Sequence, residues 1–362
     1  MTKHKEEVTL MKGNEAIAHA AIRCGCDGYF GYPITPQSEI LETLMELEPW
    51  NTTGMVVLQA ESEVAAINMV YGAAGCGKRA MTSSSSPGVS LKQEGISYMA
   101  GAELPGVIVN VMRGGPGLGT IQPSQADYFQ AVKGGGHGDY KMPVLAPASV
   151  QEMADFTVLA FELAFKYLTP AMVLADGIIG QMMEKVILPP YQPRLTEAEI
   201  RVRYPWATLG KTKDRKPNYI SSLELQSEEM ERINQRLQAR YREMEKNDVR
   251  FEQIACEDAD YVFVAFGTMA RVCQKAVELA RAEGIKAGLI RPITLFPFPK
   301  SIIKDLSIRV KGFISIEMSA GQMVEDVRLA VSGKVPVEYY GRMGGIVPSP
   351  DEVLHALKTK LL

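Results

Sequence analysis

Three short runs, GMVVLQ at 54–59, LPGVIVNVMR at 104–113 and PAMVLAD at 170–176, constrain this chain more than any other feature, because each is apolar almost without alternation. A strand that is apolar at successive positions is buried on both faces, the condition of a parallel sheet covered by helices. Helical patterns rich in small residues fill the intervals between these runs. The expected class is α/β, with a doubly wound parallel sheet in the first half of the chain.

The pattern changes at Pro189, where PPYQPRLTEAEIRVRYPWATLGKTKDRKP is rich in Pro and charge and weak in periodicity, as a connecting segment would be. Residues 222–247 then place Leu225, Met230, Ile233, Leu237, Tyr241 and Met244 near a 3.6-residue spacing on a charged background. This amphipathic helix packs either on its own chain or on a partner. Beyond it, DYVFVAFGTMARVCQKAVELARAEGIKAGLI reads strand, glycine turn, helix, strand, and FISIEMS at 313–319 and VPVEYYG at 335–341 supply later strands. The expected division is a domain over 1–187, a linker with the amphipathic helix over 188–255, and a second α/β domain over 256–362. A length of 362 residues suits two domains at roughly 150 residues each.

Composition removes several function classes. With 39 basic and 42 acidic residues the net charge is −3, too little to attract nucleic acid or an anionic membrane surface. The N-terminal MTKHKEEVTLMKGNEAIAHAAIRCG lacks the apolar run of a leader, and no run of 18 apolar residues occurs elsewhere. A cytoplasmic protein is expected. Five cysteines, Cys24, Cys26, Cys76, Cys256 and Cys273, are an odd number that suits free thiols. The C-x-C of Cys24 and Cys26 reads as packing, and four histidines, His4 among them, make a histidine metal site improbable.

Two nucleotide motifs, a P-loop copy and the dinucleotide-type Gly75-x-Gly77-x-x-Ala80, fail on context. Gly72 to Arg79 copies P-loop spacing, but Arg79 stands where a hydroxyl must reach magnesium. Its glycines also follow a helix and precede a strand, the reverse of what phosphate cradling needs. More informative is Glu63, which opens a helix and shares a face with Ala66, Ile67, Val70 and Ala74. A carboxylate on an apolar face is costly unless it has a task. The alternative is that it benefits from the helix N-terminus at the solvent edge. Thr35 lies between Pro33 and Pro36 in a strand-to-helix turn, rigidly held, with Ser38 available as the helix cap. The hydroxyls of SSSSPG at 83–88 line either a site or an ordinary turn. Arg113 closes the run 104–113, where ligands of parallel sheets bind, and its fork suits a substrate carboxylate or a surface acid equally.

Taken together, YPITPQS at 32–38, ESEVAAINMVYGA, SSSSPG, LPGVIVNVMRGGPG and IEMSAGQM at 316–323 resemble the alpha-type subunit of 2-oxoacid:ferredoxin oxidoreductases over essentially the whole chain. The stretch MTSSSSPGVSLKQEGISYMAGAELPGVIVNVMRGGPGLGTIQPSQADYFQAVKGGGHGDY is similar to the 2-ketoisovalerate branch. The resemblance implies a thiamine-diphosphate-binding, pyrimidine-type domain followed by a transketolase-C-terminal-like α/β domain. It implies Glu63 as the residue that bonds the pyrimidine of the cofactor, Thr35 near substrate and cofactor, and Arg113 on the substrate carboxylate. It implies oxidative decarboxylation of 3-methyl-2-oxobutanoate with coenzyme A and ferredoxin. The family's GDG-type magnesium signature is missing here, and so are cluster cysteines. Magnesium and iron–sulfur clusters are therefore expected on partners alone, a beta subunit and gamma or ferredoxin-like subunits, in a hetero-oligomer. Sibling specificities, for 2-oxoglutarate or pyruvate, share the same motifs. A nucleotide-binding or scaffolding α/β protein is the non-enzymatic alternative, and it leaves Glu63 without a purpose.

Overall fold

A computed structural model describes residues 8–213 and 215–362. His4 and the start of the N-terminal stretch used above lie outside the described residues. The strands of the first half are β1 (Val8–Lys12), β2 (Gly28–Gly31), β3 (Val56–Gln59), β4 (Ala80–Ser84), β5 (Gly106–Met112), β6 (Val144–Leu145), β7 (Pro170–Asp176) and β8 (Met183–Ile187). Those of the second half are β9 (Phe251–Ile254), β10 (Tyr261–Val264), β11 (Ala287–Pro292), β12 (Thr294–Phe296), β13 (Gly312–Glu317) and β14 (Val337–Gly341).

The main sheet has seven strands in the order β12-β6-β7-β5-β4-β2-β3, all parallel except β12 against β6. Its centre obeys the sequence: every residue of β5 and β7 is buried. The run at 54–59 behaves differently. β3 pairs only with β2 at the edge, and Val56 is 49% and Leu58 38% exposed, so its apolar character does not report burial within this chain. A second sheet runs β14-β13-β10-β11-β9, parallel apart from β9, and β1 and β8 form a small antiparallel pair.

The helix Glu63–Gly75 forms where Ser62 can cap it, its Oγ accepting from the Ala65 N–H at 3.2 Å. Ala66, Ile67, Val70 and Ala74 are buried on one face, which packs on the helix Ser86–Gly101. Gly95 permits the close approach, because a Cβ there would come within 2.6 Å of Ile67. The amphipathic helix spans Ser227–Asn247 and buries Leu237, Tyr241 and Met244 against its own chain. Leu225 precedes it and is 81% exposed.

The two halves are interlocked. β9 lies before residue 256 yet belongs to the second sheet, and β12 crosses back to complete the edge of the first. Buried Asp176 accepts hydrogen bonds from the N–H groups of Ile178 and Ile179 and, across the domains, from the N–H of Thr268 at 2.9 Å and its hydroxyl at 2.6 Å. Desolvation nevertheless pushes its carboxyl above the ordinary range. Gln125 adds a second tie, exchanging bonds with the main chain of Met318.

Candidate active site

From β2 the chain moves outward to β3, and from β4 it moves the other way to β5, so the winding direction reverses between the neighbours β2 and β4. Such a reversal opens a crevice at the carboxyl ends of the strands. The turn 32–37, the entry to helix Glu63–Gly75, the entry to helix Ser86–Gly101 and the loop from Arg113 all emerge there. Glu63, Thr35 and Arg113 are thus delivered to the same end of the sheet by β3, β2 and β5, with β4 between the last two.

Glu63 is buried, with 7% of its surface exposed, and among the described residues nothing hydrogen-bonds its carboxylate. Beside it Gly88 leaves space: a Cβ at that position would sit 2.8 Å from Glu63 Oε1 and also collide with Ser84 Oγ. The hydroxyls of Ser84 and Ser85 are buried and unpaired as well. Glu317 supplies the contrast, because it is also a buried carboxylate beside a helix N-terminus. It accepts from the hydroxyls of Ser315 and Ser319 and from the N–H groups of Gln322, Met323 and Val324. Its motif, IEMSAGQM, is therefore structural: Glu317 anchors the start of the helix Met323–Val331. Buried polar groups are normally satisfied, so the orphan hydroxyls of Ser84 and Ser85, next to the unbonded carboxylate of Glu63, mark where an external polar group belongs.

The Thr35 turn is fixed from below. Asn14 donates to the Pro36 carbonyl at 2.7 Å and Gln181 to the same oxygen at 3.0 Å. Gln37 rather than Ser38 occupies the N-cap position of helix Ser38–Leu47, and its side chain reaches the Tyr32 carbonyl and the hydroxyl of Ser83. Tyr29 bonds the same Ser83 hydroxyl at 2.6 Å. Ser86 links the serine loop to Arg113, accepting from the Arg113 N–H at 3.0 Å. The guanidinium spans the site: Nη1 donates to the Thr35 carbonyl and Nη2 to the Leu118 carbonyl, each at 3.0 Å, while buried Nε is unpaired. Behind it, Asn110 joins the Ser86 N–H to Asp127, whose carboxyl burial pushes up.

One charged residue escaped sequence reasoning. Lys92, on helix Ser86–Gly101, is fully buried, and burial drives its ammonium down to about 8 while Glu63 opposes the shift. The signal was present, since Val89, Lys92, Ile96 and Met99 fall on one helical face. Beside Thr35 lies a cleft of about 630 Å³ lined by Pro36, Ile121, Pro123, Ile178 and Met182 and by the polar Glu39, Gln122 and Gln181. Among the described residues no group of three or more His, Cys, Asp or Glu could hold a metal, and no helix is long and apolar enough to cross a membrane. Cys24 and Cys26 are buried free thiols, and desolvation raises the first to about 12.

At the carboxyl ends of a parallel sheet the chain thus gathers an unbonded glutamate from a helix start, a close-approach glycine and two orphan hydroxyls. The comparisons specify the class. Residues 19–250 match the family model described as pyruvate flavodoxin/ferredoxin oxidoreductase, thiamine diphosphate-binding, and residues 259–353 match pyruvate:ferredoxin oxidoreductase core domain II. The chain is 53% identical to a ketoisovalerate oxidoreductase subunit VorB of Methanothermobacter thermautotrophicus, over 96% of this chain and 97% of that one. It is 40% identical to a 2-oxoglutarate synthase subunit KorA of Archaeoglobus fulgidus, over 93% and 96%. Among solved structures, a 2-oxoglutarate:ferredoxin oxidoreductase from Magnetococcus marinus, with 2-oxoglutarate, coenzyme A and succinyl-CoA bound, superposes with a TM-score of 0.85 at 26% identity. This chain covers 66% of that one, with 99% of its own length matched. A split-gene transketolase, TM-score 0.62 at 15% identity, shares the fold. The chain belongs to the 2-oxoacid:ferredoxin oxidoreductase family, as an oxidoreductase subunit.

Proposed function

We propose that this chain forms the pyrimidine side of a thiamine-diphosphate site in a hetero-oligomer that oxidatively decarboxylates 3-methyl-2-oxobutanoate with coenzyme A and ferredoxin. The observation that carries the reading is the contrast between saturated Glu317 and unsatisfied Glu63. The relatives named for ketoisovalerate favour the branched substrate over 2-oxoglutarate. The cleft beside Thr35 presents Ile121, Ile178 and Met182 together with the carboxylate of Glu39, which would repel a second carboxylate, so it suits an isopropyl tail better.

When bound, thiamine diphosphate supplies the carbon nucleophile and electron sink that decarboxylation needs. The chain's residues prepare for it. Glu63 Oε1 would hold a proton toward the ring nitrogen, Gly88 would let the ring approach, and Ser84 and Ser85 would satisfy its polar edges. Arg113 orients the substrate carboxylate with its unpaired Nε and its remaining guanidinium hydrogens, and Thr35 limits how that carboxylate sits. Diphosphate, magnesium and clusters fall to the beta subunit and to gamma or ferredoxin-like subunits, in the cytoplasm. Exposed Val64, Leu91, Leu118 and Ile121 around the crevice give a partner an apolar rim to cover.

Anaerobic purification of the complex, followed by viologen reduction with 3-methyl-2-oxobutanoate, 2-oxoglutarate and pyruvate, tests the reading. The branched acid should give the highest kcat/KM. Preference for 2-oxoglutarate moves the protein to the sibling specificity, and no coenzyme A-dependent reduction with any of them ends the proposal.

A further inference from the structure

A fully buried lysine needs a reason. Its ammonium loses hydration on folding, and the loss is normally recovered only through a paired carboxylate. Lys92 has no such pair: its Nζ donates to the neutral hydroxyl of Thr82 at 3.1 Å, and among the described residues no carboxylate lies within ion-pair distance of it. Methionine, nearly isosteric, would fill the same space without the cost. Packing therefore does not account for Lys92.

Electrostatics does. Glu63 is presented by the helix packed against that of Lys92, and Gly88, one turn before Lys92 on the same helix face, comes up against Glu63 Oε1. β4, with no ionisable side chain, meets Lys92 through the hydroxyl of Thr82. On its own helix Glu94 is held at the surface by the hydroxyl of Tyr98, and Asp127, behind β5, is engaged by Asn110. The ammonium and the carboxylate therefore attract one another across the contact between the two helices.

We propose that Lys92 is a positioning residue for Glu63: its buried ammonium, acting through the carboxylate and never touching the cofactor, biases the shared proton from Glu63 Oε1 toward the ring nitrogen. The inference rests on the assignment of Glu63 to the cofactor ring. The proton moves between two heavy atoms and the lysine keeps its own three, so no further reactant is needed. Burial makes the device sensitive to pH, because the ammonium is held down to about 8, desolvation being the larger influence and Glu63 opposing it. Between that value and the ordinary lysine range the unfolded chain binds the proton more readily than the folded one. Stability contributed by this site accordingly rises as pH climbs from about 8 toward 10.5.

The test compares Lys92→Met, Lys92→Arg and Glu63→Gln in the assembled complex. Lys92→Met should fold and retain cofactor. Without cofactor it should melt at or above the parent's temperature at pH 7, with the gap closing as pH rises above 8. Proton exchange at the thiazolium carbon, measured with no 2-oxoacid present, should slow about tenfold or more, the equivalent of one unit of proton affinity. In the parent this exchange should fall off as pH rises through about 8. Lys92→Arg, always charged, should keep the rate and lose that alkaline fall. Parent-like exchange and an unchanged pH profile in Lys92→Met, alongside slow exchange in Glu63→Gln, overturn the role of Lys92 and leave Glu63 in place. Parent-like exchange in Glu63→Gln instead removes the assignment beneath it. Should Lys92→Met not fold, the parent and Lys92→Arg profiles decide: identical alkaline limbs in both overturn the proposal.

Discussion

Arg113 Nη1 donates to the main-chain oxygen of Thr35 across 3.0 Å, joining residues 78 positions apart at the mouth of one crevice. The bond fixes the plane of the guanidinium before any substrate is present. A second bond to the Leu118 carbonyl pins the other nitrogen, so the fork is oriented from two sides.

Arg113→Lys should therefore fail twice, losing both the bidentate edge and the brace on Thr35. In the complex KM for the 2-oxoacid should rise about 10- to 100-fold, the value of a charge-assisted bond or two. KM for coenzyme A should hold. Steady-state kinetics varying each substrate in turn check this, and equal increases for both would argue against a carboxylate-binding role.

Glu63→Gln keeps the shape of the side chain and removes its acid–base capacity. Turnover should drop by about 10²–10⁴-fold, while the helix-terminus effect costs under ~1 kcal/mol of stability. Viologen reduction paired with a melting curve separates the two. A variant that is normally active and slightly less stable would make Glu63 merely a helix-start acid.

Gly88→Ala tests the empty space itself. Alanine suits a helix interior better than glycine by about 0.5–1 kcal/mol, yet here its Cβ meets Glu63 Oε1 and Ser84 Oγ. Overpacking of about 1–3 kcal/mol should prevail. The melting temperature should fall and turnover with it, as Glu63 is pushed aside. A stabilised, fully active variant would show that the gap beside Glu63 is incidental.

Purified alone, the chain should be colourless and hold thiamine diphosphate weakly. Its free cysteines are scattered and buried except for half-buried Cys76, and four thiolates are what a cluster requires. Iron analysis and calorimetric titration are sufficient. Stoichiometric iron would contradict the assignment of clusters to partners.

Much of this was legible in the sequence where one physical rule acted alone. β5 and β7 are apolar because helices cover both their faces, and the face of Ala66, Ile67, Val70 and Ala74 follows helical periodicity. Legibility ended where two causes produce one pattern. Val56 and Leu58 are as apolar as core strands, yet they lie on an edge, since sequence does not distinguish a face covered by helices from one left open. Lys92 was passed over because lysine is ordinarily solvated. Ser38 looked like the cap, but Gln37 holds that position and spends its amide on the turn.

The return of β12 to the first sheet also bears on how such a chain can be inherited. Cut after residue 250, where one family match ends, the first portion would lack β12 and leave β6 as a bare rim of unpaired amides. Exposed rims of that kind recruit other chains and clump. Gene fission at the apparent seam is thus disfavoured by colloidal behaviour alone, and recombination that exchanges one half would have to carry Thr294–Phe296 along with the sheet it closes.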